Sequence, residues 1–448
     1  MRNLNPLKTT ILIAILFMML PGPGRCGHLI LLDSSALTAL RAKPGTVLAW
    51  TAFGNESLAF VENAPDGSRI LYQGSLEDVV IVASKHEAPQ NLIPKGGRLL
   101  HLAGRYAVAF IPAPMRARLS AGAKHCLDVI PFPTGQATTS PFEAGMKTAK
   151  PDAQIAAILG QITPTALDGR VRELVNFKTR YTFSEEFRQA AERSRGLLEE
   201  YGLETRLQNF QMWGKTGSNV IGVLEGSTSP DQIYILGAHL DSTSWEAATF
   251  APGADDNASG AAGVLEMARA LKGRRLQKTV WFVLFGGEEQ GLCGSKALLR
   301  LLETENLKNQ VKGVFNLDMI GYNKQDTLRL MLETRPLAQE MMEVIAASAQ
   351  TYTNLEVHHT FQAWGSDHIP FLDAGIPAVL TFEFEYDDNP NDHTPMDTME
   401  HVNMDLACSI LRADLAALIQ LAGPLASPPD TRPRRPRTAP RQSRTAPW

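Results

Sequence analysis

Apolar runs alternate with polar, glycine-containing segments along most of the chain, and the spacing of these runs changes near residue 150. Before that point, short apolar runs such as residues 79–82 are separated by Pro-Gly and Asp-Gly turn signals, which predicts a β-rich unit. After it, residues 155–162 and 185–201 show helical periodicity, and residues 233–236 form a short buried strand. The chain therefore changes from strands alone to strands that alternate with helices.

The alternation after residue 150 predicts an α/β fold with a mixed, mostly parallel sheet flanked by helices. The β-rich unit before it would form a separate N-terminal domain. We expect a signal peptide over residues 1–27, the β-rich unit over 28–138, a linker over 139–154, the α/β domain over 155–423 and a disordered Pro/Arg-rich tail over 424–448.

The first residues have the pattern of an export signal. Arg2 and Lys8 precede an apolar run over residues 10–20, and Pro and Gly residues follow it. The run is shorter than the roughly 20 residues that a membrane-spanning helix needs, so it predicts a cleaved signal peptide and a secreted or periplasmic protein. Because Arg25 precedes Cys26 where a lipid-anchor site favours a small residue, we do not expect a lipid anchor.

The composition argues against a nucleic-acid-binding protein and against a small disulfide-rich secreted protein. The chain of 448 residues has a formal net charge of −4, so its overall charge does not indicate a nucleic-acid partner. It has 4 cysteines, too few for the disulfide framework of a small secreted protein, and no pair of them has the spacing of a thiolate metal site. No later stretch is long and apolar enough to span a bilayer.

The most informative stretch begins where the apolar run 233–236 ends. His239 and Asp241 follow it, and residues two apart on an extended backbone point to the same side. An imidazole and a carboxylate therefore emerge together at a strand end, where open α/β sheets place their ligands. Downstream, GADDNASG brings Asp255 and Asp256 among small residues, and adjacent acids favour a bound cation. The chemistry alone does not separate the two aspartates.

Three more strand-like runs end in polar groups of the same kind. Glu288 and Glu289 lie in GGEEQGLCGS after the apolar run 279–285, and one can bind a metal while its neighbour serves as general base. Asp318 interrupts the apolar NLDMIG run, so its carboxylate needs a cation or strong donors. His393 lies in the polar DHTPMDT segment after a further predicted core strand over residues 378–384.

These segments, together with WGSDHIPF at residues 364–371, closely resemble in order and interval the secreted di-zinc aminopeptidases of the M28 metallopeptidase family. The resemblance covers about residues 155–422 and implies a zinc exopeptidase fold, two Zn²⁺ per chain and release of N-terminal residues from peptide substrates. It assigns His239 and Asp318 to one zinc, Glu289 and His393 to the other, Asp256 as the bridging ligand, Glu288 as general base and Asp241 as the residue that orients His239.

The resemblance also implies supporting roles for Asp367, His368 and Asp397. Tyr322 and Tyr386 lie near the expected site, but neither can be matched to a residue that stabilises the oxyanion.

Three alternatives remain open at this point. A glutaminyl-peptide cyclotransferase has a similar fold and ligand set with a single zinc, and an M28-type carboxypeptidase would hold the other end of the peptide. A metal-free binding protein on the same fold would have lost ligands, and none is missing here.

Overall fold

The computed structural model describes residues 26–43, 45–53, 56–84, 89–103, 106–116, 127–132, 140–141, 150–363 and 365–423. The predicted signal peptide up to residue 25, most of the predicted linker, Trp364, Cys126 and the predicted tail lie outside the described residues. None of the helices in the described ranges combines the length and apolarity that crossing a bilayer requires.

The N-terminal unit contains two four-stranded antiparallel sheets, as its turn-rich pattern predicts. One sheet has the order β2-β3-β1-β4 and the other β6-β7-β5-β8. The elements are β1 Cys26–Asp33, α1 Ser34–Arg41, β2 Val47–Phe53, β3 Glu56–Val61, β4 Arg69–Ser75, β5 Val79–Ser84, β6 Arg98–Ala103, β7 Tyr106–Phe110 and β8 Leu127–Pro131. Phe60 of the first sheet and Ile81 of the second share one apolar cluster, so the sheets bury their faces against each other.

The second unit has a larger sheet and eight α-helices among the described residues. Its helices are α2 Ala153–Leu159, α3 Pro164–Val175, α4 Glu185–Glu200, α5 Gly260–Ala270, α6 Cys293–Thr304, α7 Gln339–Tyr352, α8 Ile369–Asp373 and α9 Met404–Ala422. Its strands are β9 Ser140–Pro141, β10 Glu204–Met212, β11 Lys215–Leu224, β12 Ser229–His239, β13 Lys278–Phe285, β14 Val311–Leu317, β15 Arg329–Glu333, β16 Glu356–Thr360 and β17 Ala378–Glu383.

Helix starts follow ordinary capping chemistry. The Ser184 hydroxyl accepts the backbone N–H of Phe187 at 3.0 Å, and Glu185 and Glu186 lie in the first turn of α4, where the helix dipole favours negative charge. Thr163 caps α3 in the same way, ahead of a proline at the first helical position. Glu185 begins its helix at the residue that the sequence predicts.

The large sheet is mixed, with the order β10-β11-β13-β12-β14-β17-β15-β16-β9. Parallel pairing joins β13 to β12, β12 to β14, β14 to β17 and β15 to β16. The other four pairings are antiparallel, so the sheet is parallel at its centre rather than through most of its width. The edge strand β9 comes from residues that the sequence analysis assigned to a linker.

Helices cover both faces of this sheet, as predicted. Alternate residues of a strand face opposite sides, and on β11 the Gly222 backbone packs near Leu198 of α4. Asn219, of opposite parity, donates its side-chain N–H to the Gly294 carbonyl in α6 at 2.9 Å. Because both faces are covered, the central strands are almost entirely apolar, and Phe282 and Phe315 have no exposed surface.

The carboxyl ends of the central strands meet at one edge of the sheet. β12 ends at His239, β13 ends just before Gly286, and β14 ends just before Asp318. Because these three strands are parallel neighbours, the polar groups after them converge without long loops.

Candidate metal centre

His239 and Asp318 come together because their strands pair in parallel. Ala238 of β12 pairs with Leu317 of β14, so the next residue of each strand lies at the same edge. The Nε2 atom of His239 is 3.0 Å from the Oδ1 atom of Asp318, and both side chains are buried. The other oxygen of Asp318 accepts the Ser366 hydroxyl at 2.6 Å, which fixes the orientation of the carboxylate.

The contacts of His239 define which ring nitrogen is available. Its Nδ1 atom is 3.0 Å from the backbone carbonyl of Asp241, and because a carbonyl only accepts, Nδ1 donates there. In the neutral ring the Nε2 atom then carries the lone pair, and this is the form in which histidine binds a metal. Asp241 thus contacts His239 through its backbone, while its carboxylate Oδ1 lies 3.7 Å from Nδ1.

The Asp241 carboxylate instead holds the glutamate turn. It accepts the backbone N–H of Glu288 at 3.2 Å and that of Glu289 at 3.3 Å. It also accepts the hydroxyl proton of Thr182 at 3.0 Å, and the Thr182 oxygen accepts the Gly287 N–H at 3.0 Å. The strand-end carboxylate therefore sets the position of both glutamates, a role that the sequence analysis did not assign to it.

The segment between β12 and α5 separates the roles of Asp255 and Asp256. Asp256 has non-helical dihedral angles, and its carboxylate lies between two histidines: Oδ1 is 3.0 Å from His239 Nε2, and Oδ2 is 2.8 Å from His393 Nε2. The Asp255 carboxylate turns the other way and accepts N–H groups of Gly321 and Asn389 at 2.8 and 3.0 Å. Only Asp256 is placed to contact two cations at once.

Glu289 and His393 meet on the far side of Asp256. His393 has a left-handed backbone with φ +55°, which is uncommon for a non-glycine residue and typical of functional sites. Its Nε2 atom is 3.2 Å from Glu289 Oε2. The Glu289 side chain is 1 % exposed. A buried carboxylate is costly unless positive charge lies beside it, so this position suits a cation.

The structure also places the three residues that were expected in supporting roles. Asp397 contacts the site directly by accepting the backbone N–H groups of Asp255 and Asp256, each at 2.9 Å. Asp367 is fully buried, and this burial raises its pKa to about 7. His368 is also buried, and its Nε2 atom lies 3.4 Å from Glu333.

Tyr322 and Tyr386, which the sequence analysis left unassigned, have the following contacts. The Tyr322 hydroxyl donates to the backbone carbonyl of Asp388 at 3.1 Å, and Tyr386 packs edge-on against Phe382.

Arg180 is a buried cation beneath this acidic cluster that the sequence analysis missed. Its guanidinium donates to four backbone carbonyls, those of Leu174, Leu240, Pro252 and Gly253, at 2.7–3.3 Å. Burial lowers its pKa to about 10, so it stays charged at neutral pH. No periodicity or motif marks Arg180, because the carbonyls that it joins lie on three separate segments.

The electrostatics of the cluster favour positive charge. Burial alone would lower the pKa of His239, but the carboxylates of Asp318 and Glu288 outweigh burial and raise it well above 6.5. Asp392 and Glu289 have the same effect on His393. Ligand atoms lie within 4.8 Å of one another in three sets, which are His239 with Glu288 and Glu289, His239 with Asp256 and Asp318, and Asp256 with Asp392 and His393. Imidazoles and carboxylates at these spacings fit divalent cations such as zinc.

Known proteins share these segments. Residues 219–418 match the profile of peptidase family M28, a range that includes every candidate ligand. This region of the chain belongs to peptidase family M28. The sequence resemblance to this family is thereby confirmed. In curated proteins, this M28 member is 29 % identical over 363 residues to a probable zinc metalloprotease of Pyricularia oryzae, covering 66 % of this chain and 70 % of the relative.

A second relative aligns with a shorter part of the chain. Aminopeptidase YwaD of Bacillus subtilis is 33 % identical over 208 residues, which is 45 % of this M28 chain and 44 % of YwaD. Among solved structures, the LapA aminopeptidase of Legionella pneumophila aligns with a TM-score of 0.56 over 78 % of this chain and 99 % of LapA. At 18 % sequence identity, that likeness shows a shared fold.

Proposed function

We propose that this M28 member is a secreted zinc aminopeptidase that binds two zinc ions and removes N-terminal residues from peptides. One observation carries the proposal: the Asp256 carboxylate contacts His239 with one oxygen and His393 with the other. A carboxylate between two imidazoles is suited to bridge two cations. The names of the curated relatives, zinc metalloprotease and aminopeptidase, support the same chemistry.

The ligands divide into two positions that share Asp256. His239 and Asp318 would hold one zinc, and Glu289 and His393 would hold the other. When bound, the zinc pair would polarise the scissile carbonyl and lower the pKa of a coordinated water. Among the protein's own contacts, the Asp241 carbonyl keeps His239 in the metal-binding tautomer, and Ser366 keeps the Asp318 carboxylate in place.

Glu288 would serve as the general base. Its side chain is buried beside His239 and Glu289, and its backbone is held by the Asp241 carboxylate. In the proposed reaction, Glu288 takes a proton from the attacking water. It then gives this proton to the nitrogen of the leaving peptide as the C–N bond breaks. A general base of this kind typically contributes about 10²–10⁴-fold to the rate.

Glu288→Gln should separate catalysis from metal binding. We expect this variant to bind two zinc ions per chain and lose at least about 100-fold in kcat, because the amide cannot accept the proton. Metal content is measured after dialysis, and activity is measured on aminoacyl-nitroanilides. Ordinary turnover by Glu288→Gln would contradict the role of Glu288, and one zinc per chain in the wild type would contradict the paired site.

A panel of substrates distinguishes an aminopeptidase from a carboxypeptidase and from a cyclotransferase. An aminopeptidase cleaves free aminoacyl-nitroanilides and leaves their N-acetylated forms intact, and its activity is lost after chelation and restored by zinc. Cleavage of N-blocked peptides from the carboxyl end would instead identify a carboxypeptidase. Cyclisation of an N-terminal glutamine without hydrolysis would identify a cyclotransferase.

Export rests on the sequence of residues 1–27 alone. Expression of the full chain with its own N-terminus, followed by N-terminal sequencing of protein recovered outside the cytoplasm, tests it. Activity confined to the cytoplasm would contradict this part of the proposal.

A further inference from the structure

The turn that carries the two glutamates is held by side chains from three other parts of the chain. Each backbone N–H group of residues 286–289, the glutamate turn, donates to one of these side chains. The acceptors are Asn219 for residue 286 at 3.0 Å, Thr182 for residue 287 at 3.0 Å, and Asp241 for residues 288 and 289 at 3.2 and 3.3 Å. Because these hydrogen bonds fix the path of the backbone, the acceptors determine where the Glu288 side chain begins.

Thr182 joins the glutamate turn to the carboxylate beside it. Its buried hydroxyl donates to Asp241 Oδ2 at 3.0 Å, and its oxygen accepts the Gly287 N–H at 3.0 Å. The same Asp241 carboxylate accepts the N–H of Glu288, the next residue of the turn. The Thr182 hydroxyl therefore closes a ring of hydrogen bonds that includes the backbone of the proposed general base.

The segment that carries Thr182 is fixed on both sides. Two residues earlier, the backbone of Arg180 exchanges hydrogen bonds with Ser242, whose hydroxyl accepts the Arg180 N–H at 3.0 Å and whose N–H donates to the Arg180 carbonyl at 3.2 Å. Two residues later, Ser184 caps α4. Threonine is β-branched, so its χ1 angle is restricted as well. The hydroxyl is thus presented to the turn by a backbone that is hydrogen-bonded before and after it.

We propose that Thr182 is a positioning residue, whose hydroxyl keeps the Glu288 carboxylate within reach of the attacking water. The proposal rests on the proposed function, since Glu288 is the general base of that reaction. Thr182 precedes residues 219–418, so the match to the family profile does not include it. Because its buried hydroxyl bonds Asp241 and the turn, we expect Thr182 to act through Glu288 rather than on the peptide.

The size of the effect follows from what a displaced general base costs. Thr182→Val keeps the branched shape and removes the hydroxyl, so the turn loses one acceptor and Asp241 loses one donor. A general base contributes about 10²–10⁴-fold to the rate. Because a misplacement of about 1 Å can cost about 100-fold, we expect Thr182→Val to lower kcat by about 10–100-fold with little change in KM. Thr182→Ser keeps the hydroxyl and should recover most of the loss.

Combination with Glu288→Gln shows whether Thr182 acts through the general base. If Thr182 positions Glu288, adding Thr182→Val to Glu288→Gln should lower kcat by less than about threefold, because residues that act as a unit are not additive. The wild type, the two single variants and the double variant are compared at full zinc loading on the same aminoacyl-nitroanilides. A structural loss unrelated to Glu288 would instead reduce kcat by the same factor in both backgrounds.

Zinc binding gives a readout that does not depend on turnover. Thr182→Val should bind the same number of zinc ions as the wild type, because its hydroxyl bonds Asp241 and Gly287, neither of which is a proposed ligand. Its zinc affinities should stay within about tenfold of the wild type, the lower end of what an outer-shell partner contributes. Calorimetry with a competing chelator measures both quantities on the stripped full-length protein.

Thr279→Val is the matched control. Thr279 is also buried, and its hydroxyl likewise accepts a glycine N–H, that of Gly226 at 3.0 Å, and donates to an oxygen, the Pro230 carbonyl at 2.8 Å. It lies at the start of β13, at the opposite end of that strand from the glutamate turn. Thr279→Val should therefore lower the Tm of the metal-free protein by an amount similar to Thr182→Val and keep the wild-type kcat.

Four results would overturn the proposal and leave the proposed function intact. These are the wild-type kcat in Thr182→Val, an equal loss of kcat with and without Glu288→Gln, a loss of zinc in Thr182→Val that accounts for its lower kcat, and a matching loss of kcat in Thr279→Val. Ordinary turnover by Glu288→Gln alone would instead contradict the proposed function, because Glu288 would then not be the general base.

Discussion

Replacing Arg180 by methionine tests whether this buried cation holds the loops of the metal centre together. The guanidinium joins the end of α3, the residue after β12 and the Pro252–Gly253 turn that leads to Asp256. Methionine has a comparable length and no hydrogen-bond donor. The variant therefore removes the hydrogen bonds and the charge while it fills most of the space.

The size of the effect follows from the carbonyls that lose a donor. Those of Leu174 and Gly253 also accept backbone N–H groups, whereas the structure gives no second donor to those of Leu240 and Pro252 among the described residues. An orphaned buried acceptor costs about 1–3 kcal/mol, which gives about 2–6 kcal/mol for two. Removing one partner of a buried charged network typically costs about 3–5 kcal/mol, and we expect a loss in this range.

Thermal unfolding of the metal-free protein measures this loss without the contribution of bound zinc. With about 2–4 °C per kcal/mol for a domain of this size, Arg180→Met should lower the Tm by about 6–20 °C. The Tm of Arg180→Lys should lie between the Tm of Arg180→Met and that of the wild type, because lysine keeps the charge without the planar fork of donors.

The matched control is Arg193→Met. Arg193 of α4 is 43 % exposed and pairs with Glu173 of α3 and Glu200 of α4, so its loss should cost less than about 1 kcal/mol. If Arg180→Met unfolds within about 2 °C of Arg193→Met, the hydrogen bonds of Arg180 do not support the site and the reasoning is refuted.

Two further predictions concern the core and the glutamate turn. Burial raises the pKa of Asp414 to about 8, above the ordinary 3.8. The folded state therefore holds the Asp414 proton more tightly than the unfolded state does. The stability that this gives is present below about pH 4 and is lost as the pH rises through 8. Asp414→Asn should therefore gain stability over the wild type in urea unfolding at pH 8 and show little gain near pH 4; an equal difference at both pH values would contradict the assignment. Gly294→Ala should reduce both Tm and activity, because its Cβ would lie 2.4 Å from the Gly286 carbonyl, which precedes the glutamates. Gly169→Ala, in the open interior of α3, should instead stabilise by about 0.5–1 kcal/mol, and similar losses for both glycine variants would count against a local clash.

Some strands could be predicted from the sequence because burial on both faces leaves a continuous run of apolar residues. β13 and β17 are covered on both faces, so they appear as continuous apolar runs, and both were predicted close to their observed ends. β15 and β16 were not predicted. They lie nearer the sheet edge and include Arg329, Glu356 and His358, so their patterns lack the continuous apolar run.

The prediction of a mostly parallel sheet was too simple for a related reason. Helical and strand patterns in alternation predict parallel pairing, and the central strands do pair in this way. β10 and β11, however, form an antiparallel hairpin at one edge, and β15 pairs antiparallel with β17. Strand direction at the edges depends on pairings between distant segments, which no local pattern records.

By itself, the sequence determined that His239, Asp318 and the pair Glu288–Glu289 follow strand ends, because burial and turn chemistry act on neighbouring residues. Only the tertiary structure decided which of these groups face one another. It showed that Asp256 rather than Asp255 lies between the two histidines, and that the Asp241 carboxylate holds the glutamate turn. These outcomes depend on strand register and loop path, which are set by contacts between residues far apart in the chain. A metal centre is assembled from such contacts, so its ligand types can be read locally, whereas its geometry requires the fold.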